Sequence, residues 1–421
     1  MDKFVIKGGN VLQGKVKVSG AKNSALALLP AVLLNNGKNI IRNVPEVNDI
    51  YTMLKLLNSL GVKTTFENHI ITLDTSNITS QIAPYEHVKK MRASVYVLGP
   101  LLAKYGYAKV SMPGGCAWGP RPINLHLEAM EKLGAKIELD GGYIVAKAKK
   151  LKGARINFDI SSVGATGNTI MAAVLAKGST QILNAAVEPE ITQLTEFLIS
   201  MGAKIKGTGT KILEIEGVEE LNPSNINNIP DRIEAGTLLI AAAITKGNIT
   251  LENAEPNHLT AILQKLEDSG AKIRLNNKLI AIDSRNIEPI NTDVTTAIYP
   301  GFPTDMQAQW IAYMSLANGT STITDTIYLD RFNHVPELKR LGANIEILNN
   351  SAVVKGVKKL TGAKVMSTDL RASASLVLAG LAAHGSTEVL RIYHLDRGYQ
   401  RIEEKLSDLG ADIKRVPTNE F

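Results

Sequence analysis

A loop rich in glycine and proline surrounds the single cysteine of the chain. Residues 113–122 read PGGCAWGPRP, so Cys116 lies among glycines and prolines and shortly before Arg121. Glycine lets a backbone approach a ligand closely, and a nearby guanidinium favours the thiolate form of a cysteine. The loop is therefore a candidate reactive site. The alternative is a buried structural cysteine, the common state of an isolated one.

A second candidate is the segment VSGAKNSA at residues 18–25. It places Lys22 and Asn23 just before an apolar helical stretch. An ammonium and an amide at the start of a helix are suited to binding an anion. The alternative is a helix cap exposed to solvent.

Arginines recur at corresponding places along the chain, before apolar helices or after strands. They are Arg92, Arg232, Arg331, Arg371 and Arg397. Asp305 and Asp369 hold matching places of their own. Because arginine pairs bidentately with phosphate and carboxylate, the set predicts a site for a polyanionic substrate. For any one arginine the alternative is an ion pair at a helix start or between domains.

The elements that position these residues come from an internal repeat. A short signature such as MEKLGAKI or LISMGAKI recurs every 68 to 73 residues. Its glycines are Gly61, Gly134, Gly202, Gly270, Gly342 and Gly410. A period of this kind indicates stacked copies of one structural unit.

Each repeat has the same predicted order of elements. An apolar helix rich in alanine and leucine leads into a β-branched strand, and a second helix then ends at the glycine signature before a hairpin. The order is βαβαββ. A helix that is apolar on all sides is buried. We therefore expect an α/β (α+β) fold, a two-domain inside-out α/β barrel with three repeats per domain around buried helices.

The domain boundaries follow from the incomplete last repeat. We expect one domain at residues 22–229 and a second formed by residues 1–21 and 230–421, with the linker in the Asn- and Pro-rich segment Asn222–Asp231. In this interpretation residues 1–21 supply the hairpin that the sixth repeat lacks.

Composition excludes several classes of protein. Of the 421 residues 44% are hydrophobic and 21% are charged, which is typical of a globular chain and not of a disordered one. One cysteine excludes an internal disulfide framework, and no apolar run is long enough to span a membrane. The net charge of +7 comes without a basic tract or many aromatics, so we expect no nucleic-acid partner. The histidines lack HxxxH spacing, and P-loop and Rossmann motifs are missing, so no metal or cofactor is expected. We expect a cytoplasmic protein.

Segments along the whole chain resemble the enolpyruvyl transferases. They are SGAKNSA, KKMRASVYVLGPLLA, PGGCAWGPRPINLHL, SVGAT, PDRIEAGT, FPTDMQAQ, RFNHVPEL, TDLRASASLVLAGL and RIYHLDRGYQRIEEKL. The cysteine loop is similar to that of the members acting on UDP-N-acetylglucosamine. The resemblance implies that phosphoenolpyruvate gives its enolpyruvyl group to the 3′-hydroxyl of that sugar, by addition and elimination, with release of phosphate. This would be the first committed step of peptidoglycan synthesis.

The resemblance also implies roles for residues. The implied catalytic residues are Cys116 as acid and covalent nucleophile, Asp305 as base, Lys22 and Arg397 with Arg121 as a phosphate clamp, and Asp369 and Arg371 beside the reacting carbons. The implied substrate-binding residues are Lys22, Asn23, Arg92, Arg121, Pro122, Ile123, Asn124, Leu125, Ser162, Val163, Gly164, Asp305, Ile327 and Arg331. No cofactor, metal, membrane or obligate protein partner is implied.

One position departs from the family pattern, and two other functions stay open. The motif RPxDLH more often has aspartate where this chain has Asn124, which bears on nucleotide affinity if the carboxylate binds uracil. The first alternative is an enolpyruvyl transferase acting on a phosphorylated cyclic alcohol such as shikimate 3-phosphate. The second is a catalytically silent paralogue that binds nucleotide sugars.

Overall fold

Six small sheets of identical topology build the molecule. The computed structural model of the chain describes residues 1–89, 91–112 and 123–420. Within them the strands form six four-stranded sheets, each with one parallel edge strand and two antiparallel pairings.

The strands are short, mostly of five residues. Up to residue 229 they are β1 (Asp2–Lys7), β2 (Gln13–Lys17), β3 (Lys38–Arg42), β4 (Lys63–Glu67), β5 (Ile70–Asp74), β6 (Ile82–Ala83), β7 (Tyr107–Ser111), β8 (Lys136–Asp140), β9 (Tyr143–Lys147), β10 (Arg155–Asn157), β11 (Ser179–Leu183), β12 (Lys204–Lys206), β13 (Ile212–Glu216) and β14 (Asn225–Asn227). Beyond it they are β15 (Asn248–Glu252), β16 (Lys272–Asn276), β17 (Leu279–Asp283), β18 (Val294–Thr295), β19 (Thr320–Thr324), β20 (Asn344–Leu348), β21 (Ser351–Lys355), β22 (Lys364–Met366), β23 (Ser386–Leu390) and β24 (Asp412–Pro417).

The helices alternate with these strands. They are α1 (Lys22–Ala31), α2 (Asn48–Ser59), α3 (Tyr85–Val88), α4 (Leu98–Tyr105), α5 (Asn124–Lys132), α6 (Val163–Ala173), α7 (Pro189–Ser200), α8 (Arg232–Ile244), α9 (Thr260–Asp268), α10 (Gln307–Met314), α11 (Val335–Arg340), α12 (Leu370–Ala382) and α13 (Ile402–Asp408). Short 3-10 turns lie at Val32–Leu34, Arg92–Val97, Pro256–His258, Thr304–Met306 and Ile392–Arg397. The predicted βαβαββ order is confirmed, for example in the run β10, α6, β11, α7, β12 and β13.

The signature glycines end the second helix of every repeat. All six have a left-handed backbone, with φ between 93° and 106°. At Gly134 the amide donates to the carbonyl of Glu131 (2.8 Å), and the following Ala135 donates to the carbonyl of Met130 (3.0 Å). This is the Schellman cap, in which glycine adopts positive φ without strain from a Cβ. The repeat visible in the sequence is therefore a repeated helix stop.

The chain divides into two compact units. The N-terminal unit comprises Gly20–Ile229, and the C-terminal unit comprises Met1–Ser19 with Pro230–Phe421. In the C-terminal unit α8, α10 and α12 pack against one another. In the N-terminal unit α4 packs on α6, and the turn Arg92–Val97 contacts α1 and α6. These helices are buried over nearly their whole length, as their apolar sequences predict.

We expected residues 1–21 to add a hairpin of two strands to the sixth repeat. This prediction is correct for the first strand, β1, and wrong for the second strand, β2. β1 lies between β23 and β24, in the sheet of the sixth repeat. β2 instead pairs in parallel with β15, in the sheet of the fourth repeat. Because a parallel edge strand opens each repeat, β2 is the first strand of repeat four, and β1 is the last strand of repeat six.

Candidate active site

Asp305 is the centre of an ionic cluster in the C-terminal unit. It lies in the 3-10 turn that leads into α10. Its Oδ1 accepts from Nη1 of Arg331 at 2.9 Å, and its Oδ2 accepts from Nη2 of Arg371 at 2.7 Å. The two arginine side chains are 8% and 7% exposed, against 27% for Asp305. The carboxylate is therefore the more solvent-accessible part of the cluster, and the two guanidiniums bind it from the buried side.

Arg371 is fixed by the helix on which it stands. Asp369 caps α12, and its Oδ1 accepts from the backbone N–H groups of Arg371 (2.8 Å) and Ala372 (3.1 Å). Burial alone lowers the pKa of Arg371, but the charge of Asp305 and the nearby Tyr399 outweigh burial and raise that pKa above its usual value. The guanidinium is therefore a permanent cation at the site.

A polar network lies beneath this cation. The hydroxyl of Tyr399 accepts from Nη1 of Arg371 (3.2 Å) and meets the hydroxyl of Thr237 (2.9 Å). Nε2 of Gln309 donates to Thr237 (3.2 Å) and to the backbone carbonyl of Asp305 (3.0 Å). The network ties the arginine to α8 and α10 and limits its freedom.

Asp325 organises the neighbouring segment. It is fully buried. Its Oδ1 accepts from the hydroxyl of Thr296 (2.8 Å) and from the N–H groups of Ile327 and Tyr328 (both 2.9 Å), and its Oδ2 accepts from the hydroxyl of Thr304 (2.6 Å). Thr304 also accepts from Arg331 (3.0 Å). One carboxylate thus links the Ile327 segment to the turn that carries Asp305.

Arg397 ends the 3-10 turn Ile392–Arg397 in the same unit. It acts electrostatically on His394, together with Asp369. Burial lowers the pKa of His394, Asp369 opposes that change, and Arg397 adds to it. Asp369 and Arg397 are therefore both within electrostatic range of His394.

In the N-terminal unit Lys22 is the first residue of α1 and is buried, not exposed as a solvated cap. Its Nζ lies 3.1 Å from Oδ2 of Asp49, which is itself 3% exposed. The neighbouring Asn23 is exposed. A buried ammonium beside an exposed amide fits the predicted anion-binding role.

The start of α6 collects further predicted binding residues. Ser162 caps this helix through its hydroxyl, which accepts from the N–H of Ala165 (3.3 Å). Val163 and Gly164 form the first helical positions. Arg92, at the start of the turn Arg92–Val97, lowers the pKa of His126 through its charge and so lies within electrostatic range of that ring.

The residues after the cysteine loop begin α5. Ile123 and Leu125 are half-buried, and Asn124 is exposed, with its amide donating to Oε1 of Glu128 at 3.3 Å. The other loop residues of the prediction lie outside the described residues; they are Cys116, Arg121 and Pro122.

Neither a metal centre nor a membrane span is found in the described part of the chain. Within residues 1–89, 91–112 and 123–420, no three His, Cys, Asp or Glu side chains gather closely enough to hold a metal ion. No helix in those ranges combines the length and the apolar character needed to cross a bilayer.

A family model covers almost the whole chain. The model described as EPSP synthase (3-phosphoshikimate 1-carboxyvinyltransferase) matches residues 6–406. The chain belongs to the EPSP synthase family of enolpyruvyl transferases.

Within this family, relatives of high identity share one name. A UDP-N-acetylglucosamine 1-carboxyvinyltransferase of Chloroherpeton thalassium is 60% identical, with 100% of this chain and 99% of the relative covered. A protein of the same name from Chlorobium limicola is 58% identical over 100% of both chains.

Solved structures of enolpyruvyl transferases share the fold. The enolpyruvyl transferase NikO from Streptomyces tendae matches with a TM-score of 0.90 at 24% identity, covering 99% of both chains. EPSP synthase from Acinetobacter baumannii matches with a TM-score of 0.76 at 19% identity, covering 99% of this chain and 100% of that one. At these identities the likeness establishes the two-domain α/β fold.

Sequence reasoning missed several residues that contact or electrostatically influence the predicted site residues in the structure. They are Asp49, His126, Thr237, Gln309, Asp325, His394 and Tyr399. Tyr399 follows Arg397 by two positions and Gln309 lies in FPTDMQAQ, so the quoted motifs contained them. Asp325 and Asp49 had no such signal, because each acts through contacts with a separate segment.

Proposed function

We propose that the chain transfers the enolpyruvyl group of phosphoenolpyruvate to the 3′-hydroxyl of UDP-N-acetylglucosamine and releases inorganic phosphate. The observation that carries this proposal is the full-length identity of 60% and 58% with two proteins named for that reaction. The reaction would take place in the cytoplasm and supply peptidoglycan synthesis, as the sequence led us to expect.

The proposed chemistry has two steps. In the addition, the 3′-oxygen bonds to C2 of phosphoenolpyruvate, its proton passes to Asp305, and C3 receives a proton from Cys116. In the elimination, the bond from C2 to the phosphate oxygen breaks and inorganic phosphate leaves with the bonding electrons. A proton passes from C3 back to the Cys116 thiolate, which restores the double bond, and Asp305 gives its proton to the departing phosphate. Both steps need cations over the phosphate and carboxylate, because negative charge gathers there.

The geometry around Asp305 supports the role of base. The carboxylate is on the accessible side of the cluster, and two buried guanidiniums fix its orientation. Each of its oxygens accepts a hydrogen bond from one arginine, and each keeps a second lone pair that could accept a proton.

The remaining assignments extend to residues in both units. Lys22, Arg121 and Arg397 would bind the phosphate, with Asn23 beside them. Asp369 and Arg371 would border the reacting carbons. Arg92, Ser162, Val163, Gly164, Ile327, Arg331 and the segment 121–125 would bind the nucleotide sugar.

The test is phosphate release from phosphoenolpyruvate with and without UDP-N-acetylglucosamine, for the wild type and for Cys116→Ala. We expect release that depends on the sugar and is lost in the variant. Release that survives in Cys116→Ala would keep the transfer reaction and remove the cysteine from the acid role. Release with shikimate 3-phosphate alone, or sugar binding without turnover, would contradict the proposal.

A further inference from the structure

A buried histidine of the N-terminal unit faces the start of α6. His126 lies on α5 and is 7% exposed. Its Nδ1 is 3.1 Å from Nδ2 of Asn168, a fully buried residue of α6. In the described part of the chain this is the hydrogen bond found for the ring, and Nε2 has none.

The orientation of the Asn168 amide follows from its backbone partners. Its Oδ1 accepts from the N–H of Gly99 at 2.7 Å, and its Nδ2 donates to the carbonyl of Val95 at 2.9 Å. A backbone N–H only donates and a carbonyl only accepts, so the amide cannot be turned round. Its second N–H therefore points at Nδ1 of His126.

This contact determines the tautomer of the imidazole. Because Asn168 donates to Nδ1, that nitrogen is the acceptor and the ring proton is on Nε2. Burial, with the charge of Arg92 in addition, lowers the pKa of His126 to about 4. The ring is therefore neutral near neutral pH, and its one N–H is on Nε2.

The Nε2 proton points to the first turn of α6. A Cβ built on Gly164 would lie 3.0 Å from Nε2. The amides of Val163 and Gly164 are at the first two helical positions, where a helix offers no internal acceptor, and among the described residues neither has another partner. Three N–H donors thus lie at the same end of an eleven-residue helix.

We propose that His126 donates a hydrogen bond from Nε2 to the diphosphate of the nucleotide sugar at the start of α6, and that Asn168 is the positioning residue that makes it a donor. The inference rests on the proposed function, because that function supplies the diphosphate. A helix start stabilises an anion through its amides and dipole. A neutral histidine adds a donor without adding a charge that would need compensation in the unliganded protein.

The position of Gly164 agrees with this arrangement. A side chain there would approach Nε2 and the adjacent ring carbon, at 3.0 and 3.1 Å. It would also fill the space between the ring and the helix start. Glycine therefore lets the ring lie against the helix start, with Nε2 beside the first amides.

The test is the affinity for UDP and for UDP-N-acetylglucosamine, measured by calorimetry in a matched pair of variants. His126→Gln places an amide N–H close to the position of Nε2, and His126→Phe keeps a ring without a donor. We expect His126→Gln to bind within about threefold of the wild type and His126→Phe to bind about tenfold more weakly, the effect of one hydrogen bond to a charged group. Equal affinity of His126→Phe and the wild type, with both variants folded, would overturn the inference.

The positioning role of Asn168 has a spectroscopic readout. In the wild type, imidazole ¹⁵N resonances should show a protonated Nε2 and a bare Nδ1, and the Nε2 resonance should move when UDP is added. In Asn168→Leu the two tautomers should mix. An unchanged tautomer in that variant would refute the role.

Failure of this inference differs from failure of the proposed function. If the wild type neither binds UDP-N-acetylglucosamine nor releases phosphate with it, the proposed function fails. If the wild type does both and His126→Phe binds as tightly, only the role of His126 fails.

Discussion

In the C-terminal unit the carboxylate of Asp305 accepts from the guanidiniums of Arg331 and Arg371, whereas in the N-terminal unit the neutral ring of His126 lies close to Gly164 at the start of α6. In the first region each charge has an opposite partner before any substrate arrives, although two guanidiniums share one carboxylate. The second offers neutral donors, which we propose an anion completes. The comparison sets a preformed ionic cluster, proposed as the reactive site, beside a proposed binding site that its ligand completes.

The difference follows from what each region must do in the proposed reaction. A base needs a fixed position, and two arginines on one carboxylate provide it at the cost of burying charge. A diphosphate brings its own charge, and the neutral donors of a helix start can contribute to its binding. The buried pair of Lys22 and Asp49 is intermediate between these two regions, since the ammonium of Lys22 is paired with the carboxylate of Asp49.

The largest expected effect is at the preformed cluster. Asp305→Asn removes the proposed base and leaves two buried guanidiniums without their carboxylate. We expect turnover to fall about a thousandfold and the free energy of unfolding to fall by about 2 kcal/mol. Phosphate release and urea denaturation measure the two effects.

A matched control for this change is Asp283→Asn. Asp283 also forms a close pair with an arginine, at 2.7 Å from Arg285, but both side chains are exposed. Exposed pairs contribute little, so activity and stability should stay at the wild-type level. Turnover of Asp305→Asn within tenfold of the wild type would remove Asp305 from the role of base.

The next largest effect is expected at the Lys22–Asp49 pair, where two variants distinguish a loss of stability from a loss of turnover. Lys22→Met leaves a buried carboxylate without its ammonium, and we expect about 3 kcal/mol of lost stability with about a hundredfold loss of turnover. Adding Asp49→Leu removes the carboxylate that has lost the Lys22 ammonium. The double variant should regain most of the stability and none of the activity, as judged by urea denaturation and phosphate release. A double variant as unstable as the sum of the single ones would show that charge pairing is not the cause.

The smallest effect is a pH dependence that both units share. Burial lowers the pKa of His126 to about 4 and that of His334 to about 3, against the ordinary 6.5. Between these folded values and pH 6.5, the two histidines bind protons in the unfolded chain but not in the folded chain. Each histidine therefore lowers the stability as the pH falls from about 6.5 towards 4, by on the order of 2 kcal/mol.

The measurement is the free energy of unfolding at a series of pH values for the wild type and His126→Gln. The variant lacks one of the two histidines, so its stability should fall less steeply below about pH 6.5. Parallel curves would mean that His126 is not a buried neutral group.

The parts of the fold that could be predicted depend on local backbone requirements. The glycine signature marks a left-handed helix stop, and this requirement is met by a few adjacent residues. The same holds for Asp369, whose cap lies within three residues of its own position. Such features are visible in a sequence because their partners are close along the chain.

The features that were not predicted depend on distant partners. His126 meets Asn168 across 42 residues, and Thr237 meets Tyr399 across 162. β2 belongs to its sheet because it pairs with β15, which lies more than two hundred residues later in the chain. Local spacing contains no information on such pairings, and each residue alone resembles an ordinary buried polar group.

The placement of β1 and β2 has a consequence for biosynthesis. The first strands to leave the ribosome have their partners in β15, β23 and β24, which are made much later. The three sheets of the N-terminal unit, in contrast, have all their strands once Ile229 has been added. The unit that starts earlier in the chain is therefore finished later. The nascent protein must keep two unpaired strands soluble while its other half folds.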